Sequence, residues 1–311
     1  MGSGLEWLAA GAYVLSNCAR RTRGAWVRSQ MVRARRHAGP PIYDRPMDSP
    51  PDSVLAAFGL TSQPVLLPGG QGETWRVGDV VLKPVGSVAE AVWRAEVFAG
   101  LPDGLGFRVP RPVRAVDGSW VVEGWEASEV LEGATDTGRP DDVLTAGAAF
   151  HEAVAELPRP EFLDRRDDPW TLGDQVAWDE QAIVGHCQEL VESLVEARRP
   201  VALPAQVVHG DLLGNVMFAD GLPPAIIDWP VYWRPPSWAA AVVVVDALCW
   251  YDAKPELAAR WSHLPEWGQM LVRALIYRMV TDDVAHGPAI WTPGHRNAYQ
   301  PVIDLALTYT R

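Results

Sequence analysis

The segment His209-Gly210-Asp211-Leu212-Leu213-Gly214-Asn215, with Asp228 thirteen residues beyond Asn215, gathers the side chains that a phosphoryl transfer needs. Such a transfer asks a protein mainly for positioning and charge neutralisation. One carboxylate orients and deprotonates a hydroxyl, and oxygen ligands hold magnesium on the triphosphate. Magnesium prefers hard oxygen donors and keeps several of its waters, so one amide oxygen and one carboxylate from the protein suffice. Asp211, Asn215 and Asp228 supply that set.

The surrounding pattern has to bring Asn215 and Asp228 together. Val216 to Ala219 and Ala225 to Ile227 read as two short strands, and Asp220-Gly221 is a hairpin signal between them. Asn215 precedes the outgoing strand and Asp228 follows the returning one, so both emerge at the same end. A strand of about four residues spans roughly 13 Å, and without the turn the two side chains could not share an ion.

Val207-Val208-His209-Gly210-Asp211, Asn215 and Ala225-Ile226-Ile227-Asp228 together resemble the aminoglycoside phosphotransferase and choline kinase branch of the protein-kinase-like superfamily. Its signature is His-Gly-Asp, then Asn, then a hairpin ending in Ile-Asp. Gly221-Leu222-Pro223-Pro224-Ala225 and Tyr232-Trp233-Arg234-Pro235 are similar to a bacterial subgroup of unassigned function within that branch. The resemblance runs from about Met47 to the C-terminus. It implies ATP and Mg²⁺ as cofactors, held between two lobes, with Asp211 as the base and Asn215 and Asp228 as metal ligands. His209 would order the catalytic loop by hydrogen bonding. One departure stands out: Asn215 follows Asp211 by four residues where the family has five, while the interval from Asn215 to Asp228 keeps the family's thirteen. Gly214 can absorb a tighter turn because it tolerates positive φ.

The elements upstream suit a nucleotide-binding lobe. Val65 to Pro68, Glu73 to Val77 and Val80 to Pro84 are rich in β-formers and are separated by Gly69-Gly70-Gln71-Gly72 and by Gly78-Asp79. Arg111 to Ala115 and Trp120 to Trp125 read as two further strands. Ser87 to Leu101 has helical spacing, with Ser87 as N-cap and Glu90 three residues on. The chain carries 25 arginines and only two lysines, Lys83 and Lys254, so a lysine inside the apolar strand Val80-Val81-Leu82-Lys83 invites a chemical reading. By resemblance Lys83 pairs the nucleotide phosphates and is itself paired by a glutamate of the next helix. Glu96 is the choice, with Glu90 as the alternative. Gly69, Gly70 and Gly72 would let backbone amides cover phosphates, and Glu123 to Ala127 would form the hinge between the lobes.

Beyond Ala127 the pattern turns helical. Asp142 to Leu157, Trp178 to Arg198, Ser237 to Trp250, Pro255 to His263, Glu266 to Asp282 and Tyr299 to Thr310 carry apolar residues at three- and four-residue spacing. Trp229, Trp233 and Trp238 follow Asp228 closely and are candidates to line an acceptor pocket. His151-Glu152-Ala153-Val154-Ala155 begins like a zinc-protease motif but lacks its second histidine.

Composition narrows the partners. There are 27 Lys plus Arg against 39 Asp plus Glu, a balance that argues against nucleic acid for the folded part and better suits a cationic small molecule. Three dispersed cysteines give neither a disulfide framework nor a zinc site, which fits a cytoplasmic protein. The apolar run Ala239 to Trp250 contains Asp246 and is too short to be a transmembrane segment. Residues 1–46 carry eight arginines against two acids and form a separate basic, poorly packed extension. The expectation is therefore an α+β, bilobal protein-kinase-like fold with a small antiparallel-sheet N-lobe at 47–127 and a mainly helical C-lobe at 128–311. Its activity would be ATP-dependent phosphotransfer to a small-molecule hydroxyl. The rival reading is a catalytically impaired nucleotide-binding pseudokinase or regulatory module.

Overall fold

The computed structural model describes residues 49–67, 72–183 and 185–310. The basic extension at 1–46 and the turn residues Gly69 and Gly70 lie outside the described residues. The described chain forms two compact units. One runs to Leu101 and resumes at Val109–Ala134; the other comprises Pro102–Arg108 and Thr135 onward.

The first unit opens with α1 (Asp52–Ala57), followed by strands β1 (Val65–Leu66), β2 (Trp75–Val77) and β3 (Val80–Pro84). Helix α2 (Val88–Gly100) comes next, then β4 (Val121–Val122) and β5 (Trp125–Glu129). The five strands make one antiparallel sheet in the order β1-β2-β3-β5-β4. Ser87 caps α2, its side chain accepting from the Glu90 N–H, as the sequence leads one to expect. Such a cap is worth about 1 kcal/mol. One face of the sheet buries Val77, Leu82, Trp125 and Ala127 against Val54 and Phe58 of the α1 region.

The sheet has the expected number of strands but not the expected membership. Arg111 to Ala115 is no strand, because proline at 110 and 112 withholds the N–H groups that a ladder requires. The segment touches β5 through a bridge between Pro112 and Ser128 and through the Val113 N–H, which donates to the Ala127 carbonyl. The run from Trp120 to Trp125 is broken by a turn in which Glu123 and Gly124 both take positive φ, and Glu123 to Ala127 is thus a turn leading into a paired strand.

Strand β6 (Ala134–Thr135) marks the passage between the units. The second unit contains α3 (Pro140–Ala153), α4 (Pro169–Ala177), α5 (Gln188–Ala197), and strands β7 (Gln206–His209), β8 (Val216–Phe218), β9 (Ala225–Ile226) and β10 (Val231–Arg234). Helices α6 (Pro236–Trp250), α7 (Glu256–Arg260), α8 (Trp267–His286) and α9 (Pro293–Thr308) complete it. The expected helix from Trp178 to Arg198 is shorter, and α4 lies before it. Asp168 caps α4 by accepting from the Thr171 N–H, and Asp179 breaks the chain just after it with φ of +65°. Helix α8 is buried on nearly every side and α6 over most of its length, so both form the core of this unit. Asp246, Arg273, Arg278, Asp282 and Asp283 are buried within that core. No described helix is long and apolar enough to cross a membrane.

Candidate active site

Strand β7 leads into the loop that carries Asp211 and Asn215, and β10 returns beside it, antiparallel, with His209 opposite Val231 and Val208 opposite Tyr232. After the loop, β8 and β9 form the hairpin read from the sequence, with Val216 opposite Ile226 and Met217 opposite Ala225. The Ile227 N–H donates to the Asn215 carbonyl at 3.0 Å, so Asn215 and Asp228 do stand at the same end of the hairpin. Gly214 takes φ of +92° between Asp211 and Asn215, the conformation a short loop demands and glycine adopts freely. Asp228 also has positive φ, at +48°, a conformation uncommon outside glycine and asparagine-like residues.

His209 is fully buried and binds in three directions. Its Nε2 lies 2.9 Å from the Ile227 carbonyl and its Nδ1 accepts the Asp211 N–H at 3.1 Å. Those contacts place the imidazole proton on Nε2. The His209 backbone N–H donates to Nε2 of His151, 3.0 Å away. Burial, with His209 alongside, pulls His151 down to about 3, so it is a neutral acceptor. His151 belongs to the second unit's core, and its sequence motif serves packing rather than zinc.

The Asn215 amide donates to the Asp211 carbonyl at 2.6 Å and to Asp211 Oδ2 at 3.2 Å. Using its nitrogen in this way turns its amide oxygen away from Asp211, and that oxygen with the Asp228 carboxylate is a hard donor pair suited to magnesium. Among the described residues no group of three His, Cys, Asp or Glu side chains is placed to hold a metal.

Two residues that the motif did not reveal complete the surroundings of Asp211. Arg278 of α8 donates through Nη2 to Asp211 Oδ1 at 2.6 Å. The same guanidinium grips Asp246 of α6, Nε to Oδ1 at 2.9 Å and Nη2 to Oδ2 at 2.5 Å. Burial would lower the basicity of Arg278, but Asp246 and Asp211 hold it well above its ordinary value. Burial pushes Asp246 up to about 6, with Arg278 opposing. Sequence reading saw Asp246 only as the polar residue of an apolar helix, and Arg278 gave no signal beyond being an arginine in a buried helix.

In the first unit Lys83 lies on β3 directly opposite Glu126 of β5. Burial raises the Glu73 carboxyl, and the charge of Lys83 opposes that rise. Glu96 is exposed on α2 and makes no hydrogen bond or ion pair among the described residues. Arg94 instead turns to the sheet, donating to both Glu126 oxygens at 2.8 Å and lying 3.9 Å from Glu90. The structure therefore gives a different arrangement from the expected Lys83–Glu96 pair. A residue two positions from Arg94 on a helix lies on another face. Gly72 has φ of +76° with open space around it.

Of the tryptophans proposed for an acceptor pocket, Trp229 and Trp238 are wholly buried in the core, and the Trp229 indole donates to the Val208 carbonyl. Trp233 lines a polar cavity of about 170 Å³ with Arg159, Arg166, Asp174 and Glu180. There Arg234 binds both Asp174 and Glu180.

Neither a family model nor a curated protein sequence matches the chain. Solved structures do. A spectinomycin phosphotransferase in complex with ADP and spectinomycin shares 12% identity over 83% of this chain and 96% of its own, with a TM-score of 0.54. A choline kinase from Streptococcus pneumoniae shares 13% identity over 83% of this chain and 99% of its own, at 0.52. An aminoglycoside phosphotransferase from Alicyclobacillus acidocaldarius shares 14% over 85% and 95%, at 0.51. The chain has the protein-kinase-like fold of these phosphotransferases.

Proposed function

We propose that this chain is a small-molecule phosphotransferase that uses ATP and Mg²⁺, with Asp211 as the base. The observation that carries the reading is the convergence of Asp211, Asn215 and Asp228, tied by the Asn215 amide on one side and by the backbone bond from Ile227 on the other. Its support from outside the chain is the fold, shared with phosphotransferases whose structures hold ADP or an ATP analogue.

In the reaction, the acceptor hydroxyl gives its proton to the Asp211 carboxylate as its oxygen bonds to the γ-phosphorus. The bond from that phosphorus to the β,γ-bridging oxygen breaks, and ADP leaves with the electron pair. Asn215 and Asp228 would hold magnesium, which supplies charge neutralisation on the phosphates when bound. His209 keeps the loop in place and takes no proton in the step. Lys83 and the glycine turn with Gly69, Gly70 and Gly72 would contact the nucleotide phosphates, and the unpaired thiols of Cys187 and Cys249 fit a cytoplasmic setting. The acidic balance of the chain suits a cationic acceptor.

A second reading, a nucleotide-binding module without transfer, draws on one contact: Asp211 is already engaged in an ion pair with Arg278. Calorimetry of ATP binding with and without magnesium, followed by a screen of hydroxylated and amino metabolites for stimulated ADP release, separates the two. Asp211→Ala should abolish ADP release while keeping ATP affinity. Failure of ATP to bind at all would sink both readings.

A further inference from the structure

We infer that Arg278, held by Asp246, is a positioning residue that fixes the Asp211 carboxylate for proton acceptance; this rests on the proposed phosphotransferase reading. The three side chains form a line from the core outward. Asp246 is fully buried, the Arg278 side chain is 5% exposed, and the Asp211 side chain is 14% exposed. Asp246 accepts from two nitrogens of the guanidinium, Nε and Nη2, and this fork fixes the plane of the group. Nη2 carries a second hydrogen, and it goes to Asp211.

A purely structural need would stop at the pair. One arginine and one aspartate already neutralise each other, and replacing such a buried pair with apolar residues is often neutral or stabilising. Extending the cluster to a second carboxylate leaves it with a net negative charge inside the unit, which costs stability. The return is geometric. Asp211 sits on a loop whose other hold on the carboxylate is the uncharged Asn215 amide at 3.2 Å, a longer bond than the 2.6 Å one from Arg278. The short, charge-assisted bond at Oδ1 removes the rotational freedom of the carboxylate and presents Oδ2 to the acceptor. Phosphoryl transfer gains most from such alignment because the protein contributes position rather than covalent chemistry.

The test uses the full chain, with magnesium-ATP as the probe and water as the phosphoryl acceptor, in Arg278→Gln, Arg278→Lys, Asp246→Asn, Asp211→Asn and the Asp211→Asn/Arg278→Gln double variant. Arg278→Gln should lower kcat by about 30-fold or more with KM for ATP within about threefold, since an interaction made for the transfer step is lost and ground-state binding is not. Arg278→Lys, which keeps charge but not the fork, should recover part of that loss, and Asp246→Asn should fall between Arg278→Lys and Arg278→Gln. The double variant should be no slower than Asp211→Asn alone. Wild-type kcat in Arg278→Gln, a rise in turnover, or losses that multiply in the double variant would overturn the inference. Should Arg278→Gln fail to fold, Arg278→Lys and Asp246→Asn decide by the same kcat and KM criteria. Should the wild-type protein bind ATP without turning it over, the transfer reading fails separately. The inference is then judged by urea unfolding of the Asp211 and Arg278 variants, where additive destabilisation would refute it.

Discussion

His209 Nε2 meets the Ile227 carbonyl at 2.9 Å while Nδ1 of the same ring receives the Asp211 N–H, so one imidazole sets the spacing between the loop of Asp211 and the residue preceding Asp228. Removing it leaves a partly buried carbonyl and a loop N–H without their partner. His209→Ala is expected to lose about 2–4 kcal/mol of stability and to slow ADP release, whereas His209→Gln, which retains a donor and an acceptor, falls between. Urea unfolding and basal turnover check both. A wild-type unfolding midpoint in His209→Ala would show that the imidazole does not hold the loop.

His151 gives the fold an acid sensitivity of definite sign. Its folded-state value near 3 lies below the unfolded value of 6.5, because burial disfavours the charged ring and the neighbouring His209 adds to that; the same ring accepts the His209 N–H. The unfolded chain therefore binds the extra proton first. The His151 contribution is whole above pH 6.5 and is lost as pH falls towards 3, by about 1.4 kcal/mol per pH unit. Asp246 acts in the opposite sense, since its raised value makes the folded state bind a proton earlier than the unfolded one. Comparing unfolding midpoints of the wild type and His151→Gln between pH 4 and 7 cancels the Asp246 term. The wild type should lose stability more steeply on acidification, and parallel curves would rule this out.

What the sequence made legible is what local chemistry dictates. The β8–β9 hairpin follows from Asp220-Gly221 between two β-forming runs, the α2 cap from Ser87, and the positive φ of Gly214 from a short loop. The contacts that surround Asp211 were not legible, because Arg278 and Asp246 lie far along the chain and meet Asp211 only through packing of α6 and α8. The same holds for Glu126, which meets Arg94 through packing of β5 against α2 rather than along one helix. Arg111 to Ala115 misled for a local reason, proline in a run of otherwise acceptable strand residues. Trp229 and Trp238 misled because proximity in sequence to Asp228 does not say whether an indole turns to the core, as both do, one from a loop and one from α6.

Gly210 and Gly214 resist alanine for different reasons. A Cβ on Gly210 would stand 2.3 Å from the Tyr232 ring, and that ring is pinned by its hydroxyl bond to Tyr277 at 3.0 Å and by edge contacts with Trp238 and Tyr277. A Cβ on Gly214 meets nothing within 4 Å, but its φ of +92° is strained for an L-residue. Gly210→Ala should cost about 2–3 kcal/mol by overpacking, and Gly214→Ala about 1 kcal/mol through backbone strain. Gly214→Asn should be milder than Gly214→Ala, and Gly210→Asn worse than Gly210→Ala. Thermal unfolding of the four variants checks the order, and a reversed order would contradict the two causes.

The acidic residues around α2 and β5 separate by contact. Arg94 spans Glu126 at 2.8 Å and Glu90 at 3.9 Å, with the Arg94 and Glu126 side chains 19% and 24% exposed. Glu96 projects into solvent. Glu126→Ala should destabilise the first unit by about 1–2 kcal/mol, since it leaves a half-buried guanidinium without its bidentate partner. Glu96→Ala should stay within about 0.5 kcal/mol of wild type. If Lys83 nonetheless depends on Glu96 for nucleotide binding, Glu96→Ala will weaken ATP affinity in calorimetry while leaving stability untouched. Unchanged affinity in Glu96→Ala, together with reduced affinity in Glu126→Ala, would assign the carboxylate beside Lys83 to β5 rather than to α2.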